Sequence, residues 1–194
     1  MKEYDLFPTT IWSTELDLDL DVLRKEVEEF KSRVPSCQNS NQGGYQGAPF
    51  DYTPLSSAIK ENTPKSDKEM GDLFIYSWLN INPRGTYNSR HNHMESVTFL
   101  SGVYYITVPK GDCGRLTFHD PRGYAINSVP ESFYYRDALI SASVPPKENV
   151  VYYFPTWLEH EVGVNNTNED RISVSFNLMR RNDAQHLVEF LNST

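Results

Sequence analysis

From Asp72 onward the chain is a succession of short strand-like runs separated by turn-forming residues, and this texture limits the fold more than any other feature. Leu73 to Asn82 alternates, with Phe74, Tyr76, Trp78 and Asn80 on one face and Leu73, Ile75, Leu79 and Ile81 on the other. Pro83-Arg84-Gly85 then turns the chain. Further runs follow at Val97–Val108, Gly114–His119, Leu139–Val144, Asn149–Phe154, Glu161–Asn165 and Arg171–Met179. Many short strands with Pro, Gly and Asn between them predict an antiparallel sandwich or barrel.

What precedes the strands flanks them. Pro8, which cannot donate to a ladder, marks Leu6–Thr14 as an edge strand. Leu20, Leu23, Val27, Phe30 and Val34 recur at helical spacing, with Asp19 or Asp21 to cap and Pro35 to stop, so a core-packing helix is expected from about Leu20 to Val34. Ser36–Tyr52 is long, polar and Gly-rich, the profile of a mobile or functional loop, and is read as a lid or substrate contact. Pro54–Glu61 suggests a second short helix, and Asn182-Asp183 can cap a last one over 182–192. With no repeat, linker or composition break, residues 1–194 read as one domain: core strands over about 72–179, an N-terminal strand and helices over 1–71, and the C-terminal helix.

A net charge of −8 argues against nucleic acid or an anionic membrane as a partner. No apolar stretch has the length of a membrane span, and Met1–Asp5 opens no signal-peptide core, so a cytoplasmic protein is expected. Cys37 and Cys113 are far apart, outside any CxxC spacing, and read as free thiols, with a disulfide between them left open.

The chemistry is concentrated in Asn88-Ser89-Arg90-His91-Asn92-His93-Met94-Glu95. At the mouth of a strand, two histidines one residue apart point the same way, which suits a divalent metal. His160, in Phe154-Pro155-Thr156-Trp157-Leu158-Glu159-His160, is the best third ligand. Eleven residues later Arg171 opens a strand with Ser173 and Ser175 on its own face, a carboxylate clamp or else a structural ion pair. His119 and His186 read as surface residues, Asp120-Pro121-Arg122 as a mouth or a capped turn, and Trp157 as a substrate wall or a core residue.

His91-x-His93, Ser101-Gly102-Val103-Tyr104-Tyr105, Gly114-x-Leu116-x-Phe118-x-Asp120-Pro121-Arg122, Phe154-Pro155-x-Trp157-Leu158-x-His160 and Arg171-Ile172-Ser173-x-Ser175-Phe176-Asn177, in that order, resemble the 2-oxoglutarate/Fe(II)-dependent oxygenases of phages and marine bacteria. More distantly they are similar to prolyl hydroxylases. The resemblance runs from about Leu6 to Asn177. It implies a mainly β protein: a double-stranded β-helix (a cupin-like jelly roll) with a few flanking helices. It implies an enzyme holding Fe(II) through His91, His93 and His160. It implies 2-oxoglutarate as cosubstrate, its far carboxylate on Arg171 with Ser173 and Tyr105 beside it. The substrate would be a small molecule or a protein side chain. The expectation extends to a homodimer and, for a phage-encoded chain, to the host cytoplasm. The pattern departs from the usual two-histidine, one-carboxylate iron triad, because a histidine stands in the acidic place. A His93-x-Glu95 pair with His160 is the alternative ligand set. Two other readings compete: a cupin-like metalloenzyme that does not use 2-oxoglutarate, and a noncatalytic jelly-roll binding module.

Overall fold

The computed structural model describes residues 7–37, 39–64, 72–94, 98–122 and 141–180. The expected C-terminal helix, and with it His186, lies outside them. The elements in order are β1 (Trp12–Glu15), α1 (Leu20–Arg33), β2 (Asn41–Gln42), β3 (Tyr45–Gly47), α2 (Thr53–Glu61), β4 (Leu73–Asn82) and β5 (Tyr87–His91). Then follow β6 (Thr98–Thr107), β7 (Leu116–His119), β8 (Ser141–Val144), β9 (Val150–Pro155), β10 (His160–Val162) and β11 (Arg171–Arg180). They form two antiparallel sheets: β1-β9-β6-β11-β4-β3, and β2-β5-β10-β7-β8. This is the jelly-roll architecture, with α1 and α2 laid against the outside of the six-stranded sheet. Among the described residues no helix is long and apolar enough to cross a membrane.

Local chemistry explains the flanking elements. The Asp19 carboxylate accepts from the backbone N–H of Asp21 and Val22 at 3.0 and 3.1 Å, satisfying donors that a helix start leaves free. Pro35 follows the end of α1, and its apolar stripe buries Leu23, Val27 and Phe30. Helix α2 adds Leu55 and Ile59. These meet Leu79, Ile81, Tyr104, Ile106, Val174, Phe176 and Leu178 of the outer sheet face. A side chain of that size, fully buried, contributes roughly 1.5–3 kcal/mol, so this face is where the fold is held. A second cluster, including Val103, Tyr105, Leu116, Phe118, Tyr152 and Phe154, fills the space between the sheets.

Register sets up the inner face. On β11, Arg171 pairs with Asn82 of β4, and Ser173 with Asn80 of β4 and Tyr105 of β6. Ser175 pairs with Trp78 and Val103, and Asn177 with Tyr76 and Ser101. Since paired residues share a face, each of these four inward rows carries at least one polar side chain.

Three differences from the sequence reading have physical causes. The strand expected over Glu161–Asn165 is β10, His160–Val162. It stops short because the buried Asn165 amide donates to the Asn82 and Glu169 carbonyls, both at 2.8 Å, and locks a turn there. His119 is no surface residue: its side chain is 14% exposed and its Nε2 stands 3.6 Å from Glu161. Finally, Ser36–Tyr52 is not a free loop. Asn41–Gln42 joins the five-stranded sheet and Tyr45–Gly47 the six-stranded one, so the segment is a strap between sheets. A side chain at Gly44 would sit 2.4 Å from the Ile81 carbonyl oxygen, which fixes glycine where the strap crosses.

Candidate metal and cosubstrate site

The antiparallel pairing of β5 with β10 places His91 directly opposite His160. His93 lies two residues past the end of β5, where its N–H donates to the Thr156 carbonyl at 2.8 Å, clipping one site loop to the other. The ring centroids are 4.4 Å apart for His91 and His160, 4.9 Å for His91 and His93, and 5.2 Å for His93 and His160. One ligand nitrogen from each lies within 4.8 Å of the others. Glu95 lies outside the described residues.

Electrostatics prepare the three rings as ligands. His91 Nδ1 is 2.6 Å from the Ser89 carbonyl and His160 Nδ1 is 2.9 Å from that of Leu158. A carbonyl only accepts, so each Nδ1 carries the proton and a neutral ring keeps its lone pair on Nε2. Burial holds His91 below the usual histidine range. Burial, helped by His91, lowers His93 to about 4. Burial and the neighbouring histidines lower His160 to about 3. All three are therefore neutral at neutral pH, the form a metal requires. Trp78 stands 5.5 Å from the His93 ring and Phe154 4.6 Å from that of His160, walling the cluster with apolar surface.

At the other end of the inner face Arg171 is 1% exposed. Its Nη1 donates to the carbonyls of Cys113 and of Gly163, the latter at 3.1 Å. Its Nη2 has no partner among the described residues, and neither has the buried Tyr105 hydroxyl. Burial pushes the Tyr105 phenol up, so it stays protonated and can donate. A guanidinium with half its fork idle, beside an idle hydroxyl, costs free energy unless an acceptor fills the gap. The donor set fits a carboxylate. Ser173, 6% exposed, lies in register with Tyr105. Gly114, at φ +83°, makes the approach feasible: a Cβ there would be 2.0 Å from the Gly163 oxygen and 2.6 Å from Arg171 Nη1.

A cavity of about 470 Å³ opens beside the histidines, lined by Tyr76, Trp78, His91, His93, Asn177 and the strap residue Gln46. Gln46 lies in the Ser36–Tyr52 segment read from the sequence as a lid or substrate contact, whereas Asn177 was given no site role. A polar residue alternating along a strand looks solvent-facing until the second sheet is in place. Asp120 and Arg122 pair with each other at 2.8 Å, and the Asp120 carboxylate accepts from the Arg122 N–H, so the capped turn explains that motif. Trp157 is 41% exposed, not a core residue. Both cysteines are free, Cys37 exposed and Cys113 buried.

The sequence profile of the family described as "Putative 2OG-Fe(II) oxygenase" matches residues 76–177, more than half of the 194-residue chain. No curated protein sequence matches. Among solved structures, a Pseudomonas putida prolyl-4-hydroxylase superposes with a TM-score of 0.58 at 15% identity, over 89% of this chain and 94% of that one. HygX from Streptomyces hygroscopicus, with nickel and 2-oxoglutarate bound, gives 0.62 at 10% identity over 89% and 84%. A Trichoplax adhaerens prolyl hydroxylase, in complex with a hypoxia-inducible-factor peptide fragment, gives 0.60 at 14% identity over 89% and 84%. At these identities the likeness is one of fold.

Proposed function

Because the chain belongs to the 2-oxoglutarate/Fe(II) oxygenase family, we propose that it is a dioxygenase whose iron is held by His91, His93 and His160. In this reading its 2-oxoglutarate is anchored by Arg171 with Tyr105 and Ser173. Iron with 2-oxoglutarate supplies the oxidation: dioxygen splits the keto acid to succinate and carbon dioxide, and one oxygen atom goes to a second substrate. The three rings offer neutral nitrogen lone pairs on the side of the barrel facing the cavity. Across from them Arg171 Nη2 and the Tyr105 hydroxyl offer two donors to the distal carboxylate. Trp78 and Phe154 keep water away from the ligand side. The second substrate is a small molecule or a protein side chain, because the acidic chain is ill suited to nucleic acid.

One observation carries the reading: a buried arginine with an unused donor, aligned beside an unused buried hydroxyl, on the sheet facing three neutral histidines. The test is anaerobic titration with Fe(II) and then 2-oxoglutarate, followed through the visible charge-transfer band of the chelate. The wild type is expected to show the band, and alanine at His91, His93 or His160 to abolish iron retention on dialysis. Stoichiometric iron without a band on adding 2-oxoglutarate would overturn the cosubstrate and favour a cupin-like metalloenzyme. Iron retained by His91→Ala but lost from Glu95→Ala would overturn the ligand set.

A further inference from the structure

Among the described residues, the cavity beside the histidines is lined by no Lys, Arg, Asp or Glu side chain. A charged ligand entering it would lose water and meet no counter-charge from these side chains, and at the histidines the two charges of Fe(II) would be balanced by those of the 2-oxoglutarate dianion, so a net charge on the ligand is costly. The wall offers four carboxamides instead: those of Asn39 and Asn92 lie on exposed residues, and those of Gln46 and Asn177 are set into the six-stranded sheet on either side of Trp78. On β11, Asn177 pairs across the sheet with Ser101 and Tyr76. The fully buried Ser101 hydroxyl donates to Asn177 Oδ1 at 2.7 Å. That bond occupies the amide oxygen and leaves Nδ2 without a partner among the described residues. On the strap, Gln46 pairs with Asn80 and is 4% exposed. Its Oε1 accepts from the Asn41 backbone N–H at 3.4 Å, so that its Nε2 is left free in the same way.

The spacing decides how these donors act. Gln46 belongs to the Asn80 row and Asn177 to the Tyr76 row, four residues apart along β4. At about 3.3 Å per residue that is roughly 13 Å along the strand, so the two amides serve separate atoms of one ligand. The Trp78 row lies between them and presents an aromatic side chain to the cavity. A cation would face N–H groups with their positive ends toward it. The volume of about 470 Å³ is that of a small-molecule site.

We propose that the second substrate is an uncharged small molecule with a flat body that lies on Trp78. It carries an acceptor oxygen of the carbonyl or carboxamide kind at each end, one taken by Asn177 Nδ2 and the other by Gln46 Nε2. As an assignment of substrate class it rests on the oxygenase reading of the same site.

The test uses three probes of one shape: para-acetamidobenzamide (neutral), para-acetamidobenzoate (anionic) and para-acetamidobenzylammonium (cationic). Their binding to the full chain is measured by saturation-transfer NMR, with the Fe(II)/2-oxoglutarate band recorded on the same samples. Wild type is expected to bind the neutral probe about tenfold more tightly than either charged one, the scale of one well-made hydrogen bond. Asn177→Asp keeps the acceptor for Ser101 but exchanges the free donor for an anion. It is expected to lose about tenfold for the neutral probe and to gain for the cation. Gln46→Glu is expected to do the same from the other end, and gives a second reading if one variant fails to fold. An anionic probe binding as well as the neutral one, or an unchanged order of affinities in both variants, would overturn the assignment. The band without probe discrimination sinks the substrate class and leaves the oxygenase standing. Discrimination without the band keeps the two-amide site and removes the oxygenase from it.

Discussion

The two faces of β11 lie back to back on ten residues and could hardly differ more. Outward, Ile172, Val174, Phe176 and Leu178 pack under the two helices, and the last three are fully buried. Inward, Arg171, Ser173, Ser175 and Asn177 face the second sheet and carry the candidate cosubstrate and substrate groups. One face is satisfied by its neighbours. The other contains Arg171 and, in the adjacent strands, Tyr105 and Asn82, each with a buried polar atom that no described residue satisfies. A single strand thus separates what holds the molecule together from what it is prepared to bind. The separation costs only the period-two geometry of the strand.

Acid should expose the contrast most strongly. His93 and His160 have folded pKa values of about 4 and about 3, below the unperturbed value near 6.5. The unfolded chain therefore binds more protons between those limits. Stability is intact above about pH 6.5 and falls as pH drops through the window, by about 1.4 kcal/mol per unit for each group. Metal-free protein should unfold between pH 6 and 4 in circular-dichroism titrations. A flat stability profile there would contradict the burial of the histidine cluster. The buried outer-face cluster holds aliphatic residues, phenylalanines and tyrosines, none of which titrates in this acid window, so Phe176→Ala should lower the whole profile, by about 3–5 kcal/mol in chemical denaturation, without changing its slope. Its folded fraction should bind 2-oxoglutarate normally.

Arg171→Ala is the inner-face counterpart. It should weaken 2-oxoglutarate binding by about 2–5 kcal/mol, tens to thousands of fold by calorimetry, with iron binding intact. Arg171→Lys should recover part of this, since a point charge replaces a fork. Equal losses of stability and affinity in Phe176→Ala and Arg171→Ala would erase the division between faces. The smallest effect is the most discriminating. Tyr105→Phe removes a buried hydroxyl that no described residue satisfies. It should leave thermal stability unchanged or raise it by about 1 kcal/mol, while 2-oxoglutarate affinity drops about tenfold. A clear destabilisation would mean that the hydroxyl serves the fold.

Much of this was legible in the residues alone, and the outer face best of all. The stripe of α1 predicted Leu20–Val34 against the observed Leu20–Arg33, and the alternation of Leu73–Asn82 predicted the faces of β4. Strands that bury one face announce it by hydrophobic spacing. The inner face was legible only where its chemistry is unusual for a strand, as with His91, His93, His160 and Arg171. Asn177 is an ordinary polar residue of a strand, and only the opposing sheet turns it inward. The strap escaped notice because strands of two and three residues carry no period. Gly114 reads as the first residue of a strand run, yet what requires glycine there is the Gly163 carbonyl and the Arg171 guanidinium, brought up by distant segments.

The strap has a mechanical consequence. Only Gly43 and Gly44 separate β2, the edge of one sheet, from β3, the edge of the other. The two sheets are bound along that side like the leaves of a book, while β1 and β8 end them at the far side. On the far side a second short link, residues 145–149 between β8 and β9, joins the sheets again, so each margin of the sandwich is tied by the chain itself. His91 rides on β5, the first strand in from the strap, and His160 on the second. The histidines are thus carried next to the edge where the two sheets are stitched by two residues.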